Sequence, residues 1–127
     1  MNYGTIRTKF SFEAGHHLPK HKGKCSQRHG HSIGLWVEVS GPINRYTGMV
    51  IDFSDLKEIV NKLIIDKFDH TYLNDIIPNP TAENLAALIG NTLKAAFEKL
   101  GLQLNEVVEV QLYCCCGICV QSLIINN

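Results

Sequence analysis

Histidines recur in the first quarter of the chain at a spacing that suits a metal ion. His29 and His31 stand two apart in a segment that alternates apolar and polar residues, so on a strand their imidazoles point to the same side. His16 ends an earlier alternating segment in which Phe10, Phe12 and Ala14 share its side. If the two segments pair as a hairpin, the three imidazoles meet at one end of the sheet's buried face. Three neutral imidazoles with a fourth position open form the ligand set of a catalytic zinc, whereas a structural site normally closes with four protein ligands. Cys25 admits two roles. It can be the fourth ligand, or it can sit just outside the coordination sphere as a thiolate base favoured by the cation and by Lys22, Lys24 and Arg28. Spacing alone leaves both open. Asp69-His70 sets a carboxylate beside an imidazole, a common proton-handling pair; taken alone, a polar loop leading to a helix explains it as well.

The elements that must hold these residues read as follows. Thr5 to His16 is a strand, and a polar loop from Leu18 to Arg28 follows it. His31 to Gly41 alternates again, with Ile33, Leu35, Val37 and Val39 on one face and Ser32, Trp36 and Glu38 on the other. Turn residues around Gly41-Pro42 and Thr47-Gly48 lead into Met49 to Phe53, expected to be a short returning strand. Ser54 is the expected N-cap of a first helix carrying Leu56, Ile59, Val60, Leu63 and Ile64. Thr81 is the expected cap of a second, whose apolar stripe runs Leu85, Leu88, Ile89, Leu93, Ala96, Phe97 and Leu100 before Gly101 stops it. Glu106 to Tyr113 and Val120 to Ile125 form a last hairpin. The result is an α+β domain in which two helices cover one face of an antiparallel four-stranded sheet.

Length and composition narrow the function. A chain of 127 residues suits one domain, spanning residues 1–127. Twelve basic residues balance twelve acidic ones, and no aromatic–basic interleaving accompanies them, which speaks against a nucleic-acid partner. No apolar run is long enough for a spanning helix, so no membrane partner is expected. The N-terminus lacks a signal-peptide pattern, and five cysteines, four of them crowded into Cys114–Cys119, make a poor disulfide framework. A cytoplasmic protein with free thiols is the expectation.

Taken together, the motifs resemble the 6-pyruvoyltetrahydropterin and 6-carboxytetrahydropterin synthase family. The matching segments are Phe12-Glu13-Ala14-Gly15-His16, Cys25-Ser26-Gln27-Arg28-His29-Gly30-His31, Gly48-Met49-Val50-Ile51-Asp52-Phe53, Asp69-His70-Thr71-Tyr72-Leu73-Asn74 and Asn79-Pro80-Thr81-Ala82-Glu83-Asn84. They keep the family's order, and the resemblance extends over about residues 8 to 113. The resemblance implies the tunnelling fold, in which three subunits close their sheets into a barrel and two trimers stack into a hexamer. It implies Zn2+ on His16, His29 and His31, Cys25 as the catalytic thiol, and Asp69 and His70 as proton-transfer partners, supplied between subunits. It also implies 7,8-dihydroneopterin triphosphate as substrate, with Thr81 and Glu83 beside the pterin. Ile51-Asp52-Phe53 and Tyr72-Leu73-Asn74-Asp75 look more like the bacterial 6-carboxytetrahydropterin synthase branch, which serves queuosine synthesis, than the pyruvoyl-forming animal enzymes. The basic loop Lys20-His21-Lys22-Gly23-Lys24 suits a triphosphate contact and suits an ordinary solvated loop equally.

One end departs from the pattern. The family's last strand ends in a Glu-Thr pair that holds the pterin's guanidine-like edge, and here Cys114 stands at the glutamate position. A thiol cannot supply a bidentate carboxylate. Glu83 is one substitute, and Glu109 another if a bulge corrects its parity. Loss of that contact is the basis of an alternative, a zinc- and pterin-binding homologue with impaired catalysis. Cys116-x-x-Cys119 has metal-ligand spacing but no second pair to complete a site, so free thiols at a subunit contact are the expectation.

Overall fold

The computed structural model of the chain describes residues 2–114 and 120–125, with side chains described through Leu104. Two long strands, β1 (Tyr3–His16) and β2 (His29–Pro42), pair antiparallel over their whole length, from Tyr3↔Pro42 to His16↔His29. Residues opposite one another on such a ladder share a face. The pairs Phe12↔Ile33 and Phe10↔Leu35 therefore continue the row that ends in Ala14↔His31 and His16↔His29. Phe12, Ile33, Leu35, Val37 and Val39 on that row are almost wholly buried, whereas Arg7, Lys9, Glu13 and Ser32 on the other face are exposed. The Arg7 guanidinium lies 4.5 Å from the ring centroid of Trp36 on that outer face.

The helical layer begins with α1 (Phe53–Val60), continues through a π turn (Asn61–Ile65) and ends in α2 (Asp66–Phe68). Leu56, Val60, Ile64 and Phe68 are all buried. A strict four-residue spacing drifts around an ideal helix of 3.6 residues per turn, and the wider π turn counters the drift, keeping the row on the sheet. Asp52, not Ser54, is the N-cap: its carboxylate accepts from the Ser54 amide at 2.8 Å and the Ser54 hydroxyl at 2.6 Å. Those bonds hold the Asp52 carboxyl below the usual carboxylate range. β3 (Thr71–Tyr72) adds parallel to β1 at Ala14↔Thr71 and Gly15↔Tyr72, followed by a 3-10 turn at Leu73–Asp75. α3 (Ala82–Glu98) is capped by Thr81 as expected and buries Leu85, Ala86, Ile89, Leu93 and Phe97. Gly101, at φ 73°, lets the chain turn out of it.

β4 (Gln103–Cys114) pairs antiparallel with β2, and β5 (Val120–Ile125) with β4. The sheet order among the described residues is β3-β1-β2-β4-β5. Four antiparallel strands under two helical stretches match the expectation, and the two-residue parallel β3 is an addition at the edge.

Two details differ from the sequence reading. Met49 to Phe53 is not a strand. Asn44 instead builds a compact loop: its side chain accepts from the Tyr46 and Thr47 amides, its own amide donates to Met49 O, and Gly48 turns at φ 73°. The Asn44 amide bond to Met49 O holds one end of the segment in this loop, and the other end is taken into the start of α1, with Asp52 as its cap and Phe53 as its first residue. Leu100, placed in the apolar stripe, is exposed, because α3 ends at Glu98 and the chain leaves the stripe's geometry there. No helix among the described residues is long and apolar enough to cross a membrane.

Candidate metal centre

The β1–β2 ladder carries His16, His29 and His31 to one end of the covered face. Their ligating nitrogens lie within 4.8 Å of one another, and Cys25 is not among that group. The three rings stand edge to face, with centroids 4.6 Å, 4.7 Å and 4.9 Å apart. His16 is 4 % exposed and His29 and His31 are half-buried.

Backbone carbonyls set the tautomers. His16 Nδ1 donates to Pro80 O at 2.7 Å, and His29 Nδ1 donates to Gln27 O at 2.7 Å. A carbonyl only accepts, so the ring proton sits on Nδ1 and the lone pair on Nε2. Both Nε2 atoms are buried with no hydrogen-bond partner. Buried polar atoms are almost always satisfied, so two orphaned lone pairs beside a third imidazole fit a cation. Burial, foremost, and the positive charges that the other histidines would carry push His16 down to about 4, against the opposing pull of the Pro80 carbonyl. Its ring is therefore neutral and ready to ligate at neutral pH.

Cys25 lies half-buried in a 3-10 turn (Lys24–Ser26) of the connecting loop. Its carbonyl accepts from the Leu18 amide at 2.7 Å, closing the loop, and Ser26 Oγ donates to Gly23 O at 2.8 Å. The lysines of this loop, Lys20, Lys22 and Lys24, are exposed.

Asp69 and His70 do pair. His70 Nδ1 lies 2.9 Å from Asp69 Oδ2, with the His70 side chain 80 % exposed. Asp69 Oδ1 also accepts from the Glu13 amide at 2.9 Å, and His70 N donates to Glu13 O at 2.6 Å. The Glu13 amide first, and the His70 ring next, hold the Asp69 carboxyl below its ordinary value. His70 stands at φ 56°, a left-handed conformation that is uncommon for a residue with a Cβ and often marks a functional position. The pair is thus clipped to β1 three residues before His16, while its imidazole faces outward rather than joining the three-histidine group.

Thr81 spends its hydroxyl on the α3 cap, accepting from the Asn84 amide at 3.1 Å, and Glu83 is exposed in the first turn of α3. The backbone register sets position 114 opposite His31. The side chain of Cys114, and Cys115, Cys116 and Cys119 altogether, lie outside the described residues.

A second polar cluster escaped the sequence reading. His17 stacks on Tyr72 with centroids 5.8 Å apart, and its Nδ1 hydrogen-bonds the Tyr72 hydroxyl. Asn74 accepts from the His17 amide and donates to the His17 carbonyl, both at 2.9 Å, while the Arg28 guanidinium lies 5.2 Å from the Tyr72 ring centroid. These contacts tie the two ends of the Cys25 loop to the 71–75 segment. Only the adjacency of His17 to His16 could have hinted at them.

A family model described as "6-pyruvoyl tetrahydropterin synthase" matches residues 5–115. The 6-carboxy-5,6,7,8-tetrahydropterin synthase of Synechocystis sp. is 44% identical over 110 residues, covering 82% of this chain and 84% of that protein. The 6-pyruvoyl tetrahydrobiopterin synthase of Drosophila melanogaster is 36% identical over 84 residues, 61% of this chain and 50% of that one. Among solved structures, the 6-pyruvoyl tetrahydropterin synthase of Caenorhabditis elegans superposes with a TM-score of 0.75 at 24% identity, over 98% of this chain and 96% of that chain. The architecture is thus the tunnelling fold. With its family model spanning nearly the whole sequence, and that fold beneath it, the chain belongs to the 6-pyruvoyl tetrahydropterin synthase family.

Proposed function

We propose that the chain is a zinc-dependent lyase that converts 7,8-dihydroneopterin triphosphate to 6-carboxy-5,6,7,8-tetrahydropterin. The observation that carries this reading is the group of three imidazole nitrogens within 4.8 Å, two of them orphaned Nε2 atoms, at the buried end of a pterin-synthase sheet. The greater similarity to a carboxy-forming relative favours that product over the pyruvoyl one.

His16, His29 and His31 would hold the ion. Bound there, zinc would offer a Lewis acid with an open position for the substrate's side-chain hydroxyls. Cys25 acts as a proton-transferring thiol rather than as a ligand, in keeping with its place outside the three-histidine group. Asp69 accepts from His70 Nδ1, which fixes that ring's tautomer and presents Nε2 as the proton acceptor. The outward-facing imidazole suits a site completed by a neighbouring subunit, so we take the working form to be the barrel-shaped trimer, stacked to a hexamer, of the tunnelling fold. Queuosine synthesis in the cytoplasm is the setting this reading supplies.

The test is incubation of zinc-loaded protein with 7,8-dihydroneopterin triphosphate and identification of products by mass. A 6-carboxy product supports the reading; a 6-pyruvoyl product corrects the branch; no turnover by zinc-replete protein sinks it.

A further inference from the structure

We infer that Asn84 is a positioning residue for His16, acting through the Asn79–Pro80 turn at the head of α3. This rests on the reading of His16 as a metal ligand and adds a residue outside the ligand set. His16 Nδ1 donates to the Pro80 carbonyl at 2.7 Å, and both residues are buried. A partner on the far nitrogen fixes the rotation of a ligating ring and the basicity of the nitrogen that binds. The Pro80 carbonyl lies in no sheet ladder, so its direction is only as fixed as the turn that carries it.

That turn is pinned from two sides. Asn79 O accepts from the Thr81 amide at 2.9 Å, closing a three-residue turn centred on Pro80, whose pyrrolidine ring fixes φ. The same oxygen accepts from Asn84 Nδ2 at 2.8 Å. The Asn84 amide meanwhile donates to Thr81 Oγ1 at 3.1 Å. Asn84 therefore ties the first turn of α3 to Asn79 O, one residue before the Pro80 carbonyl that accepts from His16: its backbone completes the cap and its side chain clamps the turn. Asn79-Pro80-Thr81-Ala82-Glu83-Asn84 becomes a bracket for the metal ligand as well as a helix start.

The inference is tested in the full-length protein by zinc affinity, measured by competition with a chromophoric chelator, and by the absorption spectrum of the cobalt(II)-substituted form. Asn84→Asp keeps the size of the side chain and suits the helix N-terminus, but removes the donor. It should raise the zinc dissociation constant about tenfold and shift the cobalt spectrum, as loosening the group that orients a ligating imidazole does. Asn84→Ala should act in the same direction. Ala95→Gly, at an exposed position within α3, weakens the helix without touching the bracket and should lower Tm while leaving zinc affinity unchanged. Wild-type affinity and spectrum in both Asn84 variants overturn the inference, as does an equal loss of affinity in Ala95→Gly. If wild-type protein binds zinc no better than His16→Ala, the metal reading itself fails and this one falls with it.

Discussion

His16 and His29 are cross-strand partners in the last pair of the β1–β2 ladder, with ring centroids 4.6 Å apart. Each donates Nδ1–H to a backbone carbonyl outside that ladder, Pro80 O for one and Gln27 O for the other. The sheet sets their spacing and the two loops set their tautomers, so both lone pairs are organised before any ion arrives.

The metal-free protein should lose stability on mild acidification. Burial holds His16 down at about 4 from its ordinary 6.5, so between those values the unfolded chain binds a proton that the folded chain refuses. The stability from the neutral ring is complete above pH 6.5 and is lost as pH falls through 4. Denaturant titrations of the metal-free protein across this range should show the decline. His16→Phe should flatten it, and an unchanged slope in that variant would assign the effect to another group.

Removing the thiol should separate catalysis from metal binding. Cys25→Ala is expected to keep its zinc, since the ligating group consists of three histidines, and to lose turnover by about 100-fold or more. Metal analysis of the purified variant decides: loss of zinc together with unfolding would make Cys25 a fourth ligand.

His70→Gly should exchange activity for stability. Relief of the left-handed backbone at φ 56° is worth about 1 kcal/mol, which should raise Tm by a few degrees while turnover is lost with the imidazole. A lower Tm would mean that the contact of the His70 ring with Asp69 outweighs the strain.

Cys114→Glu should tighten substrate binding. The register sets position 114 opposite His31, at the metal end of the sheet. Restoring a bidentate acceptor for the pterin edge should lower KM by about tenfold. An unchanged KM would show that another carboxylate, with Glu83 the candidate in α3, already serves that edge.

Much of this protein was determined by sequence order alone. Alternation within Thr5 to His16 and within His31 to Gly41 specifies the two long strands, because the period of two allows only one face to be buried. Helical spacing and Thr81 likewise announce the second helix. Parity carries further: His16, His29 and His31 must share the covered face once their strands pair, so the cluster is legible in the sequence.

Other features depend on partners distant in the chain. The Met49–Phe53 segment is apolar enough for a strand, but the Asn44 loop closes on Met49 O and Asp52 already caps α1, so its backbone is spent at both ends. Pro80 reaches His16 across 64 positions and Asp69 reaches Glu13 across 56, and no local pattern encodes such hydrogen bonds. The π turn that keeps Ile64 and Phe68 inward arises from packing against the sheet, not from propensity. Sequence spacing thus determined which side chains share a face; only tertiary structure decided which backbone carbonyls orient them, because that requires loops to close over distances that periodicity does not describe.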